Sequence, residues 1–417
     1  MIKKDLQFYR FSLYGFLKNL RFFEPFIILI FRDNGLTFLQ IGLLYSIRDL
    51  TNYLTEIPTG FFADAFGRRK SMVLAFAAYI ISFFVFYSFS DFFLLAAAMV
   101  LFGLGESFRS GTHKALILEY LRINNMLDLK IAYYGRTRAA SQMGSAFNSL
   151  IAAGLLFFTG EYRVMFIATT IPYVIDLINL ATYPKILDGE LLKIDRRELV
   201  GQLKGTFKSF IGIFKNRQAM RSILNSASFT ALFKTTKDYL QPILETLALA
   251  SPFLLVLEDV NRSGIVVGIV YFFIYLLTSY ASRSSERISL KFSNIATAIN
   301  RTFLAGAVLL LIAGLATCQD LAVISVVVFL GFYVLQNLRK PMNVACISDR
   351  ISHQVMASGL SVEAQITTVL VAIFAPIMGY LADSFGVGIA LIGLSLLTLG
   401  SYVFVSVKNN SPDANKP

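Results

Sequence analysis

The amino-acid sequence predicts an all-α membrane protein with twelve transmembrane helices in two pseudo-symmetric six-helix bundles. Three observations lead to this prediction: an apolar composition, a series of apolar stretches long enough to cross a bilayer, and a likeness between the two halves of the chain. Hydrophobic residues make up 56% of the 417 residues, charged residues make up 15%, and the mean hydropathy is +0.63. Soluble domains carry about 25% charged residues, so the medium around this chain is predicted to be lipid.

The apolar stretches are counted as spans because a helix needs about 20 mainly apolar residues to cross roughly 30 Å of hydrocarbon. The predicted spans are 11–31, 37–62, 71–90, 92–118, 137–159, 163–184, 222–248, 264–282, 294–316, 321–346, 357–381 and 385–407. The third, sixth, ninth and twelfth are continuous apolar runs. The second, fourth, seventh and tenth contain charges, and they are included because the loops require an even number of spans and because the two halves match.

The charges in the loops predict that both termini face the cytoplasm of a bacterial-type inner membrane. With the N-terminus inside, the outward connections hold three basic and eight acidic residues, whereas the central loop 185–221 holds nine basic and four acidic residues. Cytoplasmic loops carry the excess of Lys and Arg in membrane proteins. The formal charge of +12 is therefore assigned to cytoplasmic loops and not to nucleic-acid binding. We expect no cleaved signal peptide, because the first apolar run has no small-residue cleavage site.

The central loop divides the chain into an N-terminal bundle (1–184), a cytoplasmic linker (185–221) and a C-terminal bundle (222–417). Two pairs of segments resemble each other across it: "RSGTHKALILEYL" with "RKPMNVACISDRI", and "LKNLRFFEP" with "FKTTKDYLQP". The second pair aligns Lys18 with Lys234 and Arg21 with Lys237. Repeated halves are typical of transporters, in which one half rocks against the other around a central site.

The turn between the second and third spans reads "TGFFADAFGRRKSM" (Thr59–Met72). It resembles the hallmark of the major facilitator superfamily, Gly-x-x-x-Asp-Arg-x-Gly-Arg-Lys, except that Ala65 replaces the first arginine. The resemblance implies a cytoplasmic latch between the two halves, formed by Gly60, Asp64, Gly67, Arg68 and Arg69. The structural alternative is that the cations of this turn only hold the loop inside the cell.

The same resemblance implies that spans 1, 4, 7 and 10 line a central cavity. These spans carry seven cations, which are Lys18, Arg21, Arg109, Lys234, Lys237, Arg339 and Lys340. They carry three carboxylates, which are Glu24, Glu106 and Asp238. The surplus of four positive charges (seven less three) predicts a small anionic or zwitterionic ligand, because buried charges need counter-ions.

Four of these cations form the predicted anion clamp, namely Arg21, Arg109, Lys234 and Lys237. Arginine suits this role because its planar fork donates two parallel hydrogen bonds to a carboxylate or phosphate. The arrangement is similar to that of facilitator-family organophosphate exchangers, in which paired cations on spans 1 and 7 hold the phosphate. For Arg339 and Lys340, contact with lipid phosphates is the alternative.

Glu106 and Glu24 are the predicted proton carriers. The alternative for Glu106 is a structural ion pair with Arg109, which lies three residues away on the same helix face. Tyr271 and Tyr275, one helical turn apart, are further candidates for contacts with the ligand. Ordinary packing is the alternative for both, since the chain has nineteen tyrosines.

The sequence therefore favours a secondary active transporter, working as a symporter or antiporter coupled to protons or to an exchanged anion. No enzymatic function is expected, because the chain has no phosphate-binding nucleotide loop, HExxH pair or nucleophile elbow. No cofactor or metal is expected, and the two cysteines lie in apolar segments and indicate neither a disulfide framework nor a metal site. The expected partners are the bilayer and one small solute, and the expected state is a monomer.

Two other functions remain open at this stage. The first is proton-driven efflux of amphipathic drugs, which the 14% aromatic content favours weakly, although the chain has neither the helix 4 arginine nor the helix 5 Gly-Pro pair of such antiporters. The second is a sensor or scaffold that binds a ligand without moving it. Accumulation of substrate in proteoliposomes separates both transport functions from a sensor.

Overall fold

The structure is a computed structural model that describes residues 4–189, 191, 217–252, 255–350 and 356–408. Within these ranges every regular element is a helix. Most of the predicted linker, residues 192–216, lies outside the described residues.

The α-helices follow one another along the chain with short connections. They are α1 (Leu6–Leu17), α2 (Ile27–Asp33), α3 (Phe38–Phe66), α4 (Arg68–Ser88), α5 (Phe92–Arg109), α6 (Thr112–Ile123), α7 (Lys130–Thr159), α8 (Val164–Ala181), α9 (Arg217–Thr236), α10 (Leu240–Ala250), α11 (Asp259–Ser289), α12 (Ile295–Cys318), α13 (Ala322–Ser348), α14 (Met356–Phe385) and α15 (Val387–Val405). In the described ranges, two helices make up each of spans 1, 4 and 7, and one helix makes up each of the other nine spans. The twelve predicted spans are therefore confirmed.

Eight of these spans are long and apolar enough to cross a membrane by composition alone, counting described residues only. The spans that do not qualify are interrupted or carry polar side chains. In α3, for example, Arg48 and Asp49 form an ion pair of 2.7 Å, although successive residues on a helix point about 100° apart. Hydropathy alone therefore underestimates the number of spans. The other four spans could be predicted because the two halves of the chain match.

Spans 1 and 7 are interrupted at their charged residues. Span 1 leaves α-helical geometry after Leu17 and passes through a 3-10 turn, Glu24–Phe26, before α2 begins. Span 7 contains a 3-10 turn at Lys237–Tyr239 between α9 and α10. Interrupted helices at membrane depth are tolerated where side chains satisfy the freed backbone groups. They are also the places where transporters build binding sites.

The chain divides into two compact units. The first comprises Met1–Leu199 and Leu244–Tyr275, and the second comprises Val200–Ile243 and Leu276–Pro417. In the first unit α5 packs on α3 and α4, α8 packs on α4, and α1 packs on α7. In the second unit α12 packs on α13 and α15, and α9 packs on α14. The predicted bundle boundaries at residues 184 and 222 stay a prediction.

Part of α11 belongs to the first unit because it packs closely on α7. Gly264 lies against Leu156 and Gly268 lies against Ala153, where an added β-carbon would meet these side chains. Small residues at such contacts allow two helices to approach closely within a membrane. The segment Leu244–Tyr275 therefore groups with α7 and not with the remainder of α11.

The core of the first unit is aromatic. The buried ring of Tyr79 on α4 contacts Phe76, Phe83, Phe102 and Tyr173, with ring centroids 5.1 to 6.4 Å apart. These contacts fix the ring positions of Tyr79 and Tyr173. Their hydroxyl groups need hydrogen-bond partners in such an environment, and both find them at the site described below.

The turn at Thr59–Met72 binds the segment that follows span 6. Gly67 has a φ of +107°, and a β-carbon there would lie 2.9 Å from the carboxyl carbon of Asp188. The Asp188 carboxylate accepts a hydrogen bond of 2.7 Å from the backbone N–H of Arg69. A carboxylate in this position caps the N-terminus of α4. The sequence analysis missed Asp188 because its contact with the turn depends on the tertiary fold.

The cations of the turn have partners in the same unit. Arg68 lies 4.0 Å from the carboxylates of Asp64 and Glu119, and Arg69 donates to the backbone oxygen of Tyr183 at 3.3 Å. Gly60 is exposed, and among the described residues no heavy atom lies within 4 Å of the position of an added β-carbon. Within the described residues of the first unit, no helix therefore approaches closely at Gly60. The latch function of the turn stays a prediction.

Substitution of the two glycines by alanine tests this geometry. We expect Gly67→Ala to lower the free energy of unfolding by about 1–3 kcal/mol, because alanine disfavours a positive φ and its β-carbon would collide with Asp188. We expect Gly60→Ala to be neutral or to stabilise by about 0.5–1 kcal/mol, because alanine is favoured over glycine inside a helix. Thermal unfolding of the purified variants in one detergent measures both, and equal effects of the two substitutions would contradict the assigned geometry.

Candidate functional site

The interruption in span 1 and the end of α5 bring three charged side chains together in the first unit. Arg21 Nη2 lies 2.5 Å from Glu106 Oε1, and Arg109 Nη2 bonds to Glu106 Oε2. Each carboxylate oxygen of Glu106 therefore has its own guanidinium partner. The sequence analysis considered a simple Glu106–Arg109 pair, whereas the structure contains a carboxylate shared by two arginines.

Two tyrosines orient these guanidinium groups. The Tyr79 hydroxyl accepts a hydrogen bond of 3.0 Å from Arg109 Nε. The Tyr173 hydroxyl accepts one of 2.6 Å from Arg21 Nε and donates one of 3.0 Å to the backbone oxygen of Lys18. The Arg21 guanidinium also lies 5.1 Å from the centre of the Phe102 ring, within the range of a cation–π contact.

The interrupted backbone of span 1 is satisfied by neighbouring helices. Asn148 of α7 donates a hydrogen bond of 3.1 Å to the backbone oxygen of Arg21, and Thr169 of α8 accepts one of 3.1 Å from the N–H of Phe22. Unsatisfied backbone groups are costly in a bilayer. These contacts therefore allow the chain to leave helical geometry and place Arg21 beside Glu106.

The charges of this cluster do not cancel. Arg21, Arg109 and Glu106 have side chains 19–23% exposed, and the three together carry one net positive charge. Lys18, one turn before Arg21, has no carboxylate within 4.0 Å among the described residues. The cluster can therefore accept one further anionic group.

Asp176 of α8 is a further buried carboxylate of the first unit, and it interacts electrostatically with Lys18. It is fully buried, and it accepts one hydrogen bond of 3.1 Å from Asn179. Its Oδ2 atom has no hydrogen-bond partner in the described part of the chain. Asp176 lies outside the predicted site, and its position on an apolar helix gave no indication of which residues surround it.

In the second unit, Lys237 is matched by its neighbour. Its Nζ lies 2.6 Å from Asp238, and Tyr333 donates a hydrogen bond of 2.9 Å to its backbone oxygen. Lys234 is exposed, and no carboxylate of the described residues lies within 4.0 Å of its amine. Of these two predicted clamp residues, Lys237 thus has a carboxylate partner and Lys234 is available to a ligand.

Arg339 was counted with the surplus cations, but its surroundings are those of a structural residue. It is fully buried and donates hydrogen bonds to Asn225, to Thr302 and to the backbone oxygen of Ile299, at 2.5 to 2.8 Å. Its guanidinium lies 4.2 Å from the centre of the Phe229 ring. Neutral acceptors and an aromatic face therefore replace the anion that the sequence analysis expected for this residue.

The remaining predicted residues lie in the first unit. Tyr271 is buried and Tyr275 is half-buried on α11, with ring centroids 6.4 Å apart. Glu24 is half-buried at the start of the 3-10 turn in span 1. Their roles as ligand contacts and proton carrier stay predictions. In the described residues no group of three or more His, Cys, Asp or Glu side chains is arranged to hold a metal ion.

Sequence reasoning did not select Tyr79 or Tyr173. Both stand in apolar helices, and the sequence contains nineteen tyrosines without a local pattern that separates these two. A polar hydroxyl in an apolar span indicates that a partner exists. It does not indicate which cation supplies that partner, because that depends on how the helices pack.

Comparisons with known proteins identify the family. The model of the Major Facilitator Superfamily matches residues 14–364. None of the curated proteins matches the chain by sequence. A structure of a mutant of the nucleoside transporter NupG is 13% identical, with a TM-score of 0.76, and the alignment covers 96% of this chain and 99% of that one. A POT family transporter in complex with 5-aminolevulinic acid is also 13% identical, with a TM-score of 0.72 and coverage of 96% and 95%. At these identities the likeness shows the fold alone.

The shared carboxylate makes a prediction about stability. Glu106→Gln leaves two guanidinium groups facing each other without a counter-ion, and we expect it to lower the free energy of unfolding by about 3 kcal/mol. Arg109→Gln leaves one arginine with one carboxylate, and we expect a loss of about 1 kcal/mol. The double variant E106Q/R109Q should be more stable than E106Q alone, because it removes the repulsion between the two arginines.

Denaturant unfolding of the purified variants in one detergent measures these differences. Glu161→Gln is the matched control, because Glu161 is exposed and has no basic side chain within 4.0 Å among the described residues, so that its loss should cost no more than about 0.5 kcal/mol. A Glu106→Gln variant as stable as this control would show that Arg21 and Arg109 do not depend on Glu106.

Proposed function

The chain belongs to the major facilitator superfamily and is a multi-pass membrane transporter, and on that premise we propose that it moves a small anionic or zwitterionic solute by alternating access. The proposed location is the cytoplasmic membrane, with both termini in the cytoplasm, and the proposed state is a monomer. The observation that carries the proposal is the pair of arginines that share one carboxylate.

The two guanidinium groups retain donors for a ligand. Each has five N–H groups. The bonds to Glu106 and to the tyrosines Tyr79 and Tyr173 use two of the five in each arginine. The remaining N–H groups, the net positive charge and the bidentate geometry of arginine suit a carboxylate or phosphate. They do not suit a lipophilic cation, which the same charge repels.

Glu106 supplies a means of coupling transport to protons. An ionised Glu106 occupies the arginines and competes with an incoming anion. The two arginines oppose protonation of Glu106 in the empty site, so protonation accompanies the arrival of the solute, whose carboxylate or phosphate takes the place of Glu106 on the arginines. Glu106 is bonded to Arg21 and Arg109, and arginine does not deprotonate in proteins. Glu106 is therefore the group of this cluster that exchanges the proton, and the solute enters together with it.

The other predicted residues have secondary roles in this proposal. Lys234 extends the positive charge in the second unit, and Lys237 contributes through its pair with Asp238. Tyr271 and Tyr275 offer hydroxyl groups to the solute. The turn residues Gly60, Asp64, Gly67, Arg68 and Arg69 act as the cytoplasmic latch of the alternating-access cycle.

A ligand screen followed by transport assays tests the proposal. Thermal shifts of the purified protein with anionic metabolites and with cationic drugs first identify a ligand, and we expect anions to stabilise it. In proteoliposomes, an inward proton gradient should then drive accumulation of that anion. Glu106→Gln should reduce gradient-driven accumulation at least tenfold while anion exchange between the two sides continues, because the variant keeps both arginines and no longer exchanges a proton.

Arg21→Gln and Arg109→Gln should lose both accumulation and exchange, whereas the control Glu161→Gln should retain both. Stabilisation by lipophilic cations alone would favour drug efflux and overturn the proposal. Anion binding without movement into the vesicles would favour a sensor or scaffold. Exchange in the wild type without any response to the proton gradient would overturn the coupling through Glu106 and would leave anion exchange as the function.

A further inference from the structure

The first unit contains a cavity of about 370 Å³ that the cluster around Glu106 does not account for. Residues of α1, α6 and α7, together with Lys18 and Asn19 after α1, form its walls. Three of its lining side chains are basic, namely Lys18, His113 and Arg138, and none of the lining residues is Asp or Glu. Its volume lies at the lower end of the range of about 300–1,000 Å³ that is usual for small-molecule sites.

Among the described residues the basic side chains of the cavity form no ion pair with an acid, although Asp176 and Glu106 interact with Lys18 at longer range. Lys18 is half-buried, and neither its amine nor the Arg138 guanidinium has a carboxylate within 4.0 Å among the described residues. The Lys18 amine lies 5.7 Å from the centre of the Tyr14 ring. Arg138 is exposed, whereas Lys18 is partly removed from water, and a cation in that position without a close counter-ion is unfavourable. The cavity therefore favours an anion.

The polar wall of the cavity is fixed by a close approach of α1 and α7. A β-carbon at Gly15 would lie 2.7 Å from Ser141 Oγ, and Asn19 donates hydrogen bonds to the backbone oxygens of Gly15 and Ser141 at 3.0 and 2.7 Å. The side chain of Gln142, next along α7, has no hydrogen bond within the described residues. Its amide is available as a neutral donor beside the two cations.

Another part of the lining is flat and aromatic. The rings of Tyr14 and His113 stack with centroids 3.6 Å apart and planes 17° apart, and Phe11 meets His113 edge-on at 5.4 Å. An aromatic surface beside cationic side chains suits a molecule that has both a charged group and a ring. Simple inorganic ions would use only the cationic side chains.

We propose that this cavity binds an organic anion with one phosphate or carboxylate group and a body of sugar to nucleoside size. Lys18 and Arg138 neutralise the charged group, Gln142 donates a hydrogen bond to it, and the stacked rings of Tyr14 and His113 contact the body. This inference rests on the proposed function, because it assigns to the cavity the class of solute that the transporter moves. The cavity is a second anion site beside the first, and Arg21, Arg109 and Glu106 are not among its lining residues.

Binding to the wild-type protein in phosphatidylcholine nanodiscs tests the inference, with glucose 6-phosphate and uridine 5′-monophosphate as phosphate probes and glucose as the uncharged probe. We expect Lys18→Gln and Arg138→Gln each to weaken binding of a phosphate probe at least tenfold. Lys18→Arg should stay within about threefold of the wild type, because it keeps the charge. Arg136→Gln is the matched control, because Arg136 is an exposed cation of α7 that does not line the cavity, and it should change binding less than twofold.

A lipid headgroup carries a phosphate group like that of the probes and could occupy the same cavity. The experiment therefore has to distinguish the two ligands. A second set of nanodiscs contains phosphatidylglycerol. If the phosphate esters do not bind in phosphatidylcholine, and if phosphatidylglycerol alone stabilises the protein in a manner sensitive to Lys18→Gln, the cavity holds a lipid headgroup and the inference is overturned.

Transport separates the failure of this inference from the failure of the proposed function. If Lys18→Gln and Arg138→Gln bind and transport an anion like the wild type while Arg109→Gln does not, the inference fails and the proposed function stands. If no anion binds or moves with the wild type, the proposed function fails, and the inference fails with it. Loss of binding in Arg138→Gln with an unchanged unfolding temperature supports the inference, since that variant keeps the cluster around Glu106 intact.

Discussion

The carboxylate of Glu106, held between Arg21 and Arg109, is the interaction on which the first unit depends. Charged groups are costly inside a membrane and persist there when they pair with one another or face water. Span 1 leaves helical geometry to deliver Arg21 to this position, and Asn148 satisfies the backbone of the interruption. The aromatic core fixes Tyr79 and Tyr173, whose hydroxyls orient the two guanidinium groups. The helix interruption, the core and the charges thus form one arrangement.

The interrupted span of the second unit is stabilised by a similar backbone contact but by a different pairing of charges. In the first unit, Tyr173 donates to the backbone oxygen of Lys18 at the interruption of span 1. In the second, Tyr333 donates to the backbone oxygen of Lys237 at the interruption of span 7. The cation of span 7, however, is matched by its neighbour Asp238, whereas Arg21 reaches a carboxylate on another helix. The likeness between the halves therefore extends to the backbone and its tyrosine partner, but not to the charge balance.

The fold could be predicted largely from the sequence because apolar length and loop charge depend on local composition. The positive φ of Gly67 could be predicted as well, since glycine is the residue that adopts this conformation most readily in a turn. The partners of the charged side chains could not be predicted from the sequence. Counting charges treated Arg339 as a surplus cation, yet its terminal nitrogens bond to the neutral acceptors Asn225 and Thr302, and no acid of the described residues pairs with it. The Asp188 cap and the cavity beside Lys18 were missed for the same reason, because each depends on segments that are distant in sequence and meet only in the folded unit.

The ratio of two arginines to one carboxylate has a functional consequence that an equal ratio would not have. One arginine with one carboxylate would form a closed pair, and a ligand would have to break it without compensation. Two arginines without a carboxylate would repel each other when the site is empty and would weaken the fold. With Glu106 present, the empty site is held together by an internal anion that resembles the charged group of the solute. Exchange of that internal anion for an external one then keeps the number of charge contacts nearly constant, so that the solute can both enter and leave.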